Sequence, residues 1–144
     1  MKRLFLDTNI LLDAVLPRDY SSQAIQLLQW CDEGRVTLCA SSLTYANMAY
    51  ILRRHPNEEK YQYLRMLRQG IEVISLDSNC LDQALSIIVY DFEDMLQYQC
   101  ALSAGCEAIV TNNIKDFEEF AKIPLYTSEE IVSELSFLYS QNDE

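Results

Sequence analysis

Histidine is almost missing from this chain: His55 stands alone among 144 residues. One imidazole cannot build a histidine-ligated metal centre. Its place before Pro56, at the end of a helical pattern, reads as a terminal cap rather than a catalytic base. Cysteine offers no alternative. The five present (Cys31, Cys39, Cys80, Cys100, Cys106) are odd in number, scattered and without a CxxC pair. That argues against a zinc site or disulfide framework and fits buried free thiols in a reducing cytoplasm. Glycine and proline number three each, so neither a linker nor a low-complexity stretch is expected. Long apolar runs are absent too. Lys2 and Arg3 are followed by three apolar residues before Asp7, too few for a signal peptide, and no run approaches membrane-spanning length. A cytoplasmic protein with no membrane partner is the expectation.

Positive charge is the last shortage. Eleven Lys and Arg face 22 Asp and Glu, a formal net charge of −11. Such a chain does not hold nucleic acid by a general positive field. It stays compatible with a nucleic-acid enzyme whose acidic centre is neutralised by metal. The charge is also uneven. Arg53, Arg54, Lys60, Arg65 and Arg68 gather around Glu58 and Glu59, whereas the chain from Glu129 onward carries acids alone. The basic stretch reads first as a solvated helix face and second as a landing strip for phosphates.

What the chain does have is a rhythm. Short segments at 3–6, 36–40, 71–76, 107–111 and 123–127 are rich in apolar and branched residues, as buried parallel strands are. Helical patterns alternate with them near 9–16, 20–33, 43–54, 58–69, 79–89, 92–104 and 128–139. Gly34, Gly70 and Gly105 each follow a helical pattern, where a left-handed cap suits glycine. The expected fold class is α/β: a three-layer α/β/α arrangement with a central, mostly parallel sheet of about five strands. One domain is expected over residues 1–144, with the last few residues, "SQNDE", fraying.

In such sheets ligands collect beyond the carboxyl ends of the strands, so residues there carry the functional argument. "FLDTNILLD" puts Asp7, Thr8 and Asn9 at the end of the first strand. A carboxylate there costs desolvation energy unless something positive or hydrogen-bonding meets it. Leu43, Ala46, Tyr50 and Ile51 share helical spacing with Asn47, which must hydrogen-bond inward or face a polar site. "DFEDMLQ" supplies Asp91 and Asp94 at a helix start, where capping by Asp91 and dipole complementarity of Glu93 and Asp94 give the plainer account. "IVTNNIKDFEEF" leaves the fourth strand through Thr111, Asn112 and Asn113 to Asp116, which with Glu119 also looks like a capping pair. Together these groups come from distant segments to one end of a sheet. Oxygen ligands without His or Cys suit Mg²⁺ or Mn²⁺, and a carboxylate cluster without a cation repels itself or stays partly protonated.

"FLDTNILLD", "SSLTYANMAYIL", "DFEDMLQYQCALSAGCEAIVTNN" and "KDF", in this order over nearly the whole chain, resemble the PIN-domain nucleases. The resemblance is to the small bacterial toxins of toxin–antitoxin pairs, the VapC type. It implies a metal-dependent endoribonuclease that cuts single-stranded or structured RNA with Mg²⁺ or Mn²⁺ and leaves a 5′-phosphate and a 3′-hydroxyl. It also implies an antitoxin protein as partner and a homodimer as the assembly. By position it makes Asp7 a primary metal ligand and Asp94 the acid of the later helix. Thr8, Asn9 and Thr111 then orient the carboxylates, with Asp91 and Asn112 in supporting places. Two positions depart from the pattern. Asn47 stands where the family usually has Glu, and Asn113 where it often has Asp, which leaves Asp116 as the surviving third acid. Each swap removes a negative charge and keeps an oxygen. Both sustain a second reading, a catalytically weak or inactive PIN-like module that binds RNA or a partner protein.

Two rival folds with a functional aspartate are set aside. A haloacid-dehalogenase-type phosphatase needs a second Asp two residues on, where Asn9 stands. A receiver domain would use Asp77 after "IEVISL", but lacks its acidic pair beside the first strand here. Trp30 and most tyrosines read as core or interface; Tyr45, Tyr50 and Tyr98 are candidates to stack a base. Tyr61, Tyr63, Leu64 and Leu67 offer more apolar surface than a small helix easily buries, a hint of the homodimer.

Overall fold

Leu4, Phe5 and Leu6 are almost wholly inaccessible, a state open only to a strand covered on both faces. They belong to β1 (Lys2–Leu6), the centre of a sheet completed by β2 (Val36–Ser41), β3 (Glu72–Ile74), β4 (Ala108–Val110) and β5 (Leu125–Tyr126). The structure is a computed structural model and describes residues 2–142. Strand order is β3-β2-β1-β4-β5, and every neighbouring pair is parallel. The helices among the described residues are α1 (Thr8–Val15), α2 (Ser21–Asp32), α3 (Ser42–Ile51), α4 (Asn57–Gly70), α5 (Ser78–Leu85), α6 (Phe92–Ser103), α7 (Lys115–Glu118) and α8 (Ser128–Asn142).

Side-chain alternation along the strands divides the core in two. Leu4 and Leu6 join Leu38, Ala40 and Val110 on one face, where α1, α2, α3, α4 and α8 deliver Leu11, Leu27, Met48, Leu67 and Ile131. Phe5, Cys39 and Ile109 point the other way, against Met95, Tyr98 and Ala101 of α6, Ala84 of α5 and Phe117 of α7. This is the expected three-layer α/β/α arrangement, with an all-parallel rather than mostly parallel sheet.

The strand order fixes where a site can form. The chain runs outward from β1 through β2 to β3, then returns to the other side of β1 for β4 and β5. At that reversal the connections leave β1 and β4 in different directions and open a crevice past their carboxyl ends. A buried polar link holds two of its walls together. Ser41 Oγ donates to Gln97 Oε1 at 2.6 Å, Gln97 Nε2 donates to Thr44 Oγ1 at 3.2 Å, and the Thr44 N–H donates back to Ser41 Oγ at 3.2 Å. The start of α3 is thereby tied to the middle of α6.

Several local expectations are corrected. The helix expected over 79–89 stops at Leu85, and the short α7 was not foreseen. Gly34 and Gly105 adopt positive φ, 77° and 68°, but Gly70 is the last residue of α4 and makes no left-handed cap. Residues 140–142 continue α8 where fraying was expected; Asp143 and Glu144 lie outside the described residues. The stripe expected on α3 is not its core face. Thr44, Met48 and Leu52, spaced by four, are buried, whereas Tyr50 and Ile51 are exposed. His55 lies past the end of α3, which Leu52 caps, and its imidazole faces Glu59 at 3.7 Å instead of closing the helix.

The Ser41–Thr44–Gln97 link generates a test. Gln97→Leu leaves two buried hydroxyls short of partners and should cost about 1–3 kcal/mol in urea unfolding. Gln62→Leu, on the exposed side of α4, should stay within about 0.5 kcal/mol of wild type.

Candidate metal centre

β1 passes into α1 with no loop between them, and Asp7 is the joint. Its N–H still extends the sheet, donating to the Val110 carbonyl at 3.0 Å. Its Oδ1 accepts from the Thr8 N–H at 2.8 Å at the start of α1. Its Oδ2 accepts from Thr111 Oγ1 at 2.8 Å, and that hydroxyl in turn accepts from the Asn113 N–H at 3.0 Å. Thr111 is wholly buried. Asp7 is therefore met by a hydroxyl held by β4 and by a helix start. Burial nevertheless pushes its carboxyl above the usual range, with the Thr111 and Thr8 bonds working against that rise.

The second wall is the start of α6. Asp91 caps it, accepting from the Asp94 N–H at 3.0 Å. Asp94 is buried, and its carboxyl is pushed up to about 8, first by desolvation and then by the charges of Asp91, Asp7, Glu93 and Asp116. Ligand oxygens of Asp91, Glu93 and Asp94 lie within 4.8 Å of one another. Between the walls is an open cleft of about 320 Å³. Asp7, Thr8 and Asn9 line it from the β1–α1 joint, Asn47, Tyr50 and Ile51 from α3, and Asp91, Glu93 and Asp94 from α6. Asn113 and Asp116 complete it from the segment after β4. Five carboxylates thus share a cleft that, among the described residues, no lysine or arginine lines. The donors are all oxygen or amide, and the buried Thr8 Oγ1 has no hydrogen-bond partner. This set suits a hard divalent cation held by oxygen.

The three acids singled out from sequence, Asp7, Asp94 and Asp116, line one cleft, as do Thr8, Asn9, Asn47, Asp91 and Asn113. Thr111 acts on it through Asp7. Asn112 does not line it: its amide oxygen accepts from the Ser128 N–H at 3.0 Å and the Ser128 hydroxyl at 3.3 Å, tying down the start of α8. The expected Asp116–Glu119 capping pair does not form. α7 has no side-chain cap, and Glu119 accepts from the Tyr90 N–H at 3.2 Å. Of the three tyrosines proposed for stacking, Tyr50 alone lines the cleft. Tyr98 is buried, its hydroxyl accepting from the Lys122 N–H, and Tyr45 packs on the opposite apolar cluster. Asp77 caps α5 through the Cys80 N–H at 2.9 Å. The residue that sequence reading missed is Glu93, assigned there to the helix dipole alone; no spacing signal set it apart from an ordinary first-turn acid.

The chain thus combines an α/β/α fold with an acidic, oxygen-lined cleft at the switch point of its sheet. The PIN domain family pattern matches residues 3–115, and the chain belongs to that family. A similar protein is ribonuclease VapC1 of Aquifex aeolicus (strain VF5), 26% identical over 121 residues, which span 78% of this chain and 82% of that protein. The fold matches VapBC2 from Rickettsia felis bound to a DNA fragment from its promoter, with a TM-score of 0.66 and 21% identity over 87% of this chain and 98% of that one. It matches equally a toxin–antitoxin complex from Klebsiella pneumoniae, with a TM-score of 0.66 and 20% identity over 87% and 97% of the two chains.

The raised Asp94 carboxyl sets a pH dependence. The folded, metal-free protein keeps a proton that the unfolded chain gives up near pH 3.8, so this stabilisation is full below 3.8 and is lost as pH rises through about 8. Asp7 acts in the same direction. Glu72, held low chiefly by Arg3, and Asp77, held low by the Cys80 N–H, act oppositely and lose their contribution in acid. Above about pH 5, in chelator, Tm should therefore fall by several degrees towards about pH 8.5. Asp94→Asn should flatten that slope, and a flat wild-type slope would contradict the assignment.

Proposed function

We propose that this protein is a divalent-metal-dependent endoribonuclease, the toxin of a toxin–antitoxin pair, acting in the cytoplasm. The observation that carries the reading is the convergence of five carboxylates, with no lining lysine or arginine among the described residues, at the switch point of a PIN fold. Its support includes the similarity to a ribonuclease and the likeness of the fold to a toxin–antitoxin complex and to VapBC2.

Asp7, Asp94 and Asp116 would hold the ion, Mg²⁺ or Mn²⁺, which when bound supplies positive charge at the scissile phosphate and makes water a better nucleophile. The chain's own residues do the rest. Thr111 and the start of α1 lock the Asp7 rotamer, so its free lone pairs face the cleft in a fixed direction. Asp94, protonated near neutral pH in the absence of a cation, would release that proton to solvent on ligating the ion. Asn9, Asn47 and Asn113 bring amides rather than further charge. Tyr50, 66% exposed on the cleft wall with the Arg53 guanidinium 4.2 Å from its ring centroid, is placed to stack a base of single-stranded RNA. The alternative reading, a PIN-like module that holds RNA or a partner without cutting, draws its support from Asn47 and Asn113.

Cleavage of a labelled RNA should require added Mg²⁺ or Mn²⁺ and stop with chelator. Asp7→Asn should drop cleavage to background without lowering Tm, because it removes a buried charge that burial disfavours. Wild type that stays folded and never cuts at any metal concentration would favour the binding module.

The homodimer belongs to the same reading, but through a different surface from the one expected. Tyr63 and Leu64 pack half-buried on the core and Leu67 is buried, so of these four only Tyr61 is exposed, with Met66 beside it on α4. A larger apolar surface follows α5, where Leu85, Ile87, Ile88 and Tyr90 are exposed, Ile88 at 99% and Tyr90 at 98%. Such contiguous apolar exposure marks an interface. Light scattering should give a dimer for wild type and a monomer for Ile88→Asp; a monomeric wild type at all concentrations would contradict it.

A further inference from the structure

We propose that Glu93 is a metal-ligating carboxylate of this cleft and that Asn47, reaching it from α3, is the residue that positions it. The inference deepens the metal-centre reading above and rests on it.

Glu93 follows the α6 cap by two residues, where an acid facing solvent would merely complement the helix dipole. Its side chain does not face away. It lines the cleft, and its ligand oxygen falls within 4.8 Å of those of Asp91 and Asp94. A single hydrogen bond holds it there: Asn47 Nδ2 donates to Glu93 Oε1 at 2.7 Å, across 46 residues of sequence. The other carboxylate oxygen remains for a ligand. Asp91 likewise spends Oδ1, on capping α6, so each of the two acids keeps one oxygen for a ligand. In the same cleft Thr8, 7% exposed, keeps a buried hydroxyl without a hydrogen-bond partner, an independent sign that a polar ligand belongs there.

The chemistry of the pair explains why position 47 is an amide. An amide N–H₂ donates to a carboxylate, whereas a second carboxylate at that distance would repel it and swing Glu93 out of the cleft. The amide and the acid are complementary halves of one contact, and the carboxylate can in principle sit on either side of it. Exchanging the two should preserve function.

The test is Mn²⁺ binding to the RNA-free protein, by titration calorimetry and by the loss of free Mn²⁺ signal in paramagnetic resonance, with Tm in chelator as the folding control. Glu93→Gln should weaken binding by more than about tenfold, and Asn47→Ala should weaken it less, on the scale by which outer partners tune an ion. The double variant Asn47→Glu/Glu93→Gln should recover most of the lost affinity. Binding by Glu93→Gln equal to wild type, with Asp7→Asn clearly weakened, would overturn the role of Glu93 and leave the metal centre standing. Equal binding by Glu93→Gln and Asp7→Asn alike would overturn both. Weakening by Glu93→Gln with no recovery in the double variant would overturn the positioning role of Asn47. A purely structural role for Glu93 would move Tm in chelator and leave Mn²⁺ affinity unchanged.

Discussion

Asp7, Asp91, Glu93, Asp94 and Asp116 repel one another across a cleft that no lysine or arginine lines among the described residues, and much of the surrounding structure serves to hold them there. Two helices begin at the cleft, α1 at Asp7 and α6 after Asp91, and present their positive ends to the acids. Thr111 and the Asn113 N–H form a short relay that fixes Asp7 against β4. Asp94, buried first and repelled second, holds a proton up to about pH 8. Each device reduces the cost of the cluster without neutralising it, and the unspent negative charge is what a dication would meet.

The sheet makes that concentration possible. Because β1 lies between β2 and β4, the carboxyl ends of β1 and β4 point into one crevice while α3 and α6 rise on either side. The Ser41–Thr44–Gln97 link is buried between those helices and sets the distance over which Asn47 reaches Glu93. The apolar clusters on the two faces are thus the platform, and a few buried polar bonds convert it into fixed geometry at the cleft.

Much of this was legible in the chain because it is local. Apolar runs such as Leu4–Leu6 name their own strands, and an acid immediately after such a run can only sit at a strand exit. Asp7 could therefore be placed at the carboxyl end of the sheet. Asp94, at a helix start, and Asp116, beyond the fourth strand, joined it only through their order along the chain and the family resemblance. What was not legible is tertiary. The i, i+3, i+7 reading of α3 counted Tyr50 and Ile51 as core, whereas the packed face follows Thr44, Met48 and Leu52 because α3 leans on the sheet through that edge. Asn112 immediately precedes Asn113, which lines the cleft, yet its own amide turns to Ser128. Glu93 looks like any first-turn acid until Asn47 arrives from 46 residues away.

The central claim is that these carboxylates converge in order to hold a divalent cation. Anomalous scattering at the manganese edge, from crystals grown with Mn²⁺, tests it most directly. The account expects a single strong peak in the cleft with oxygens of Asp7 and Asp94 at about 2.0–2.6 Å. An empty cleft at saturating Mn²⁺, or a peak bound away from Asp7, would contradict it.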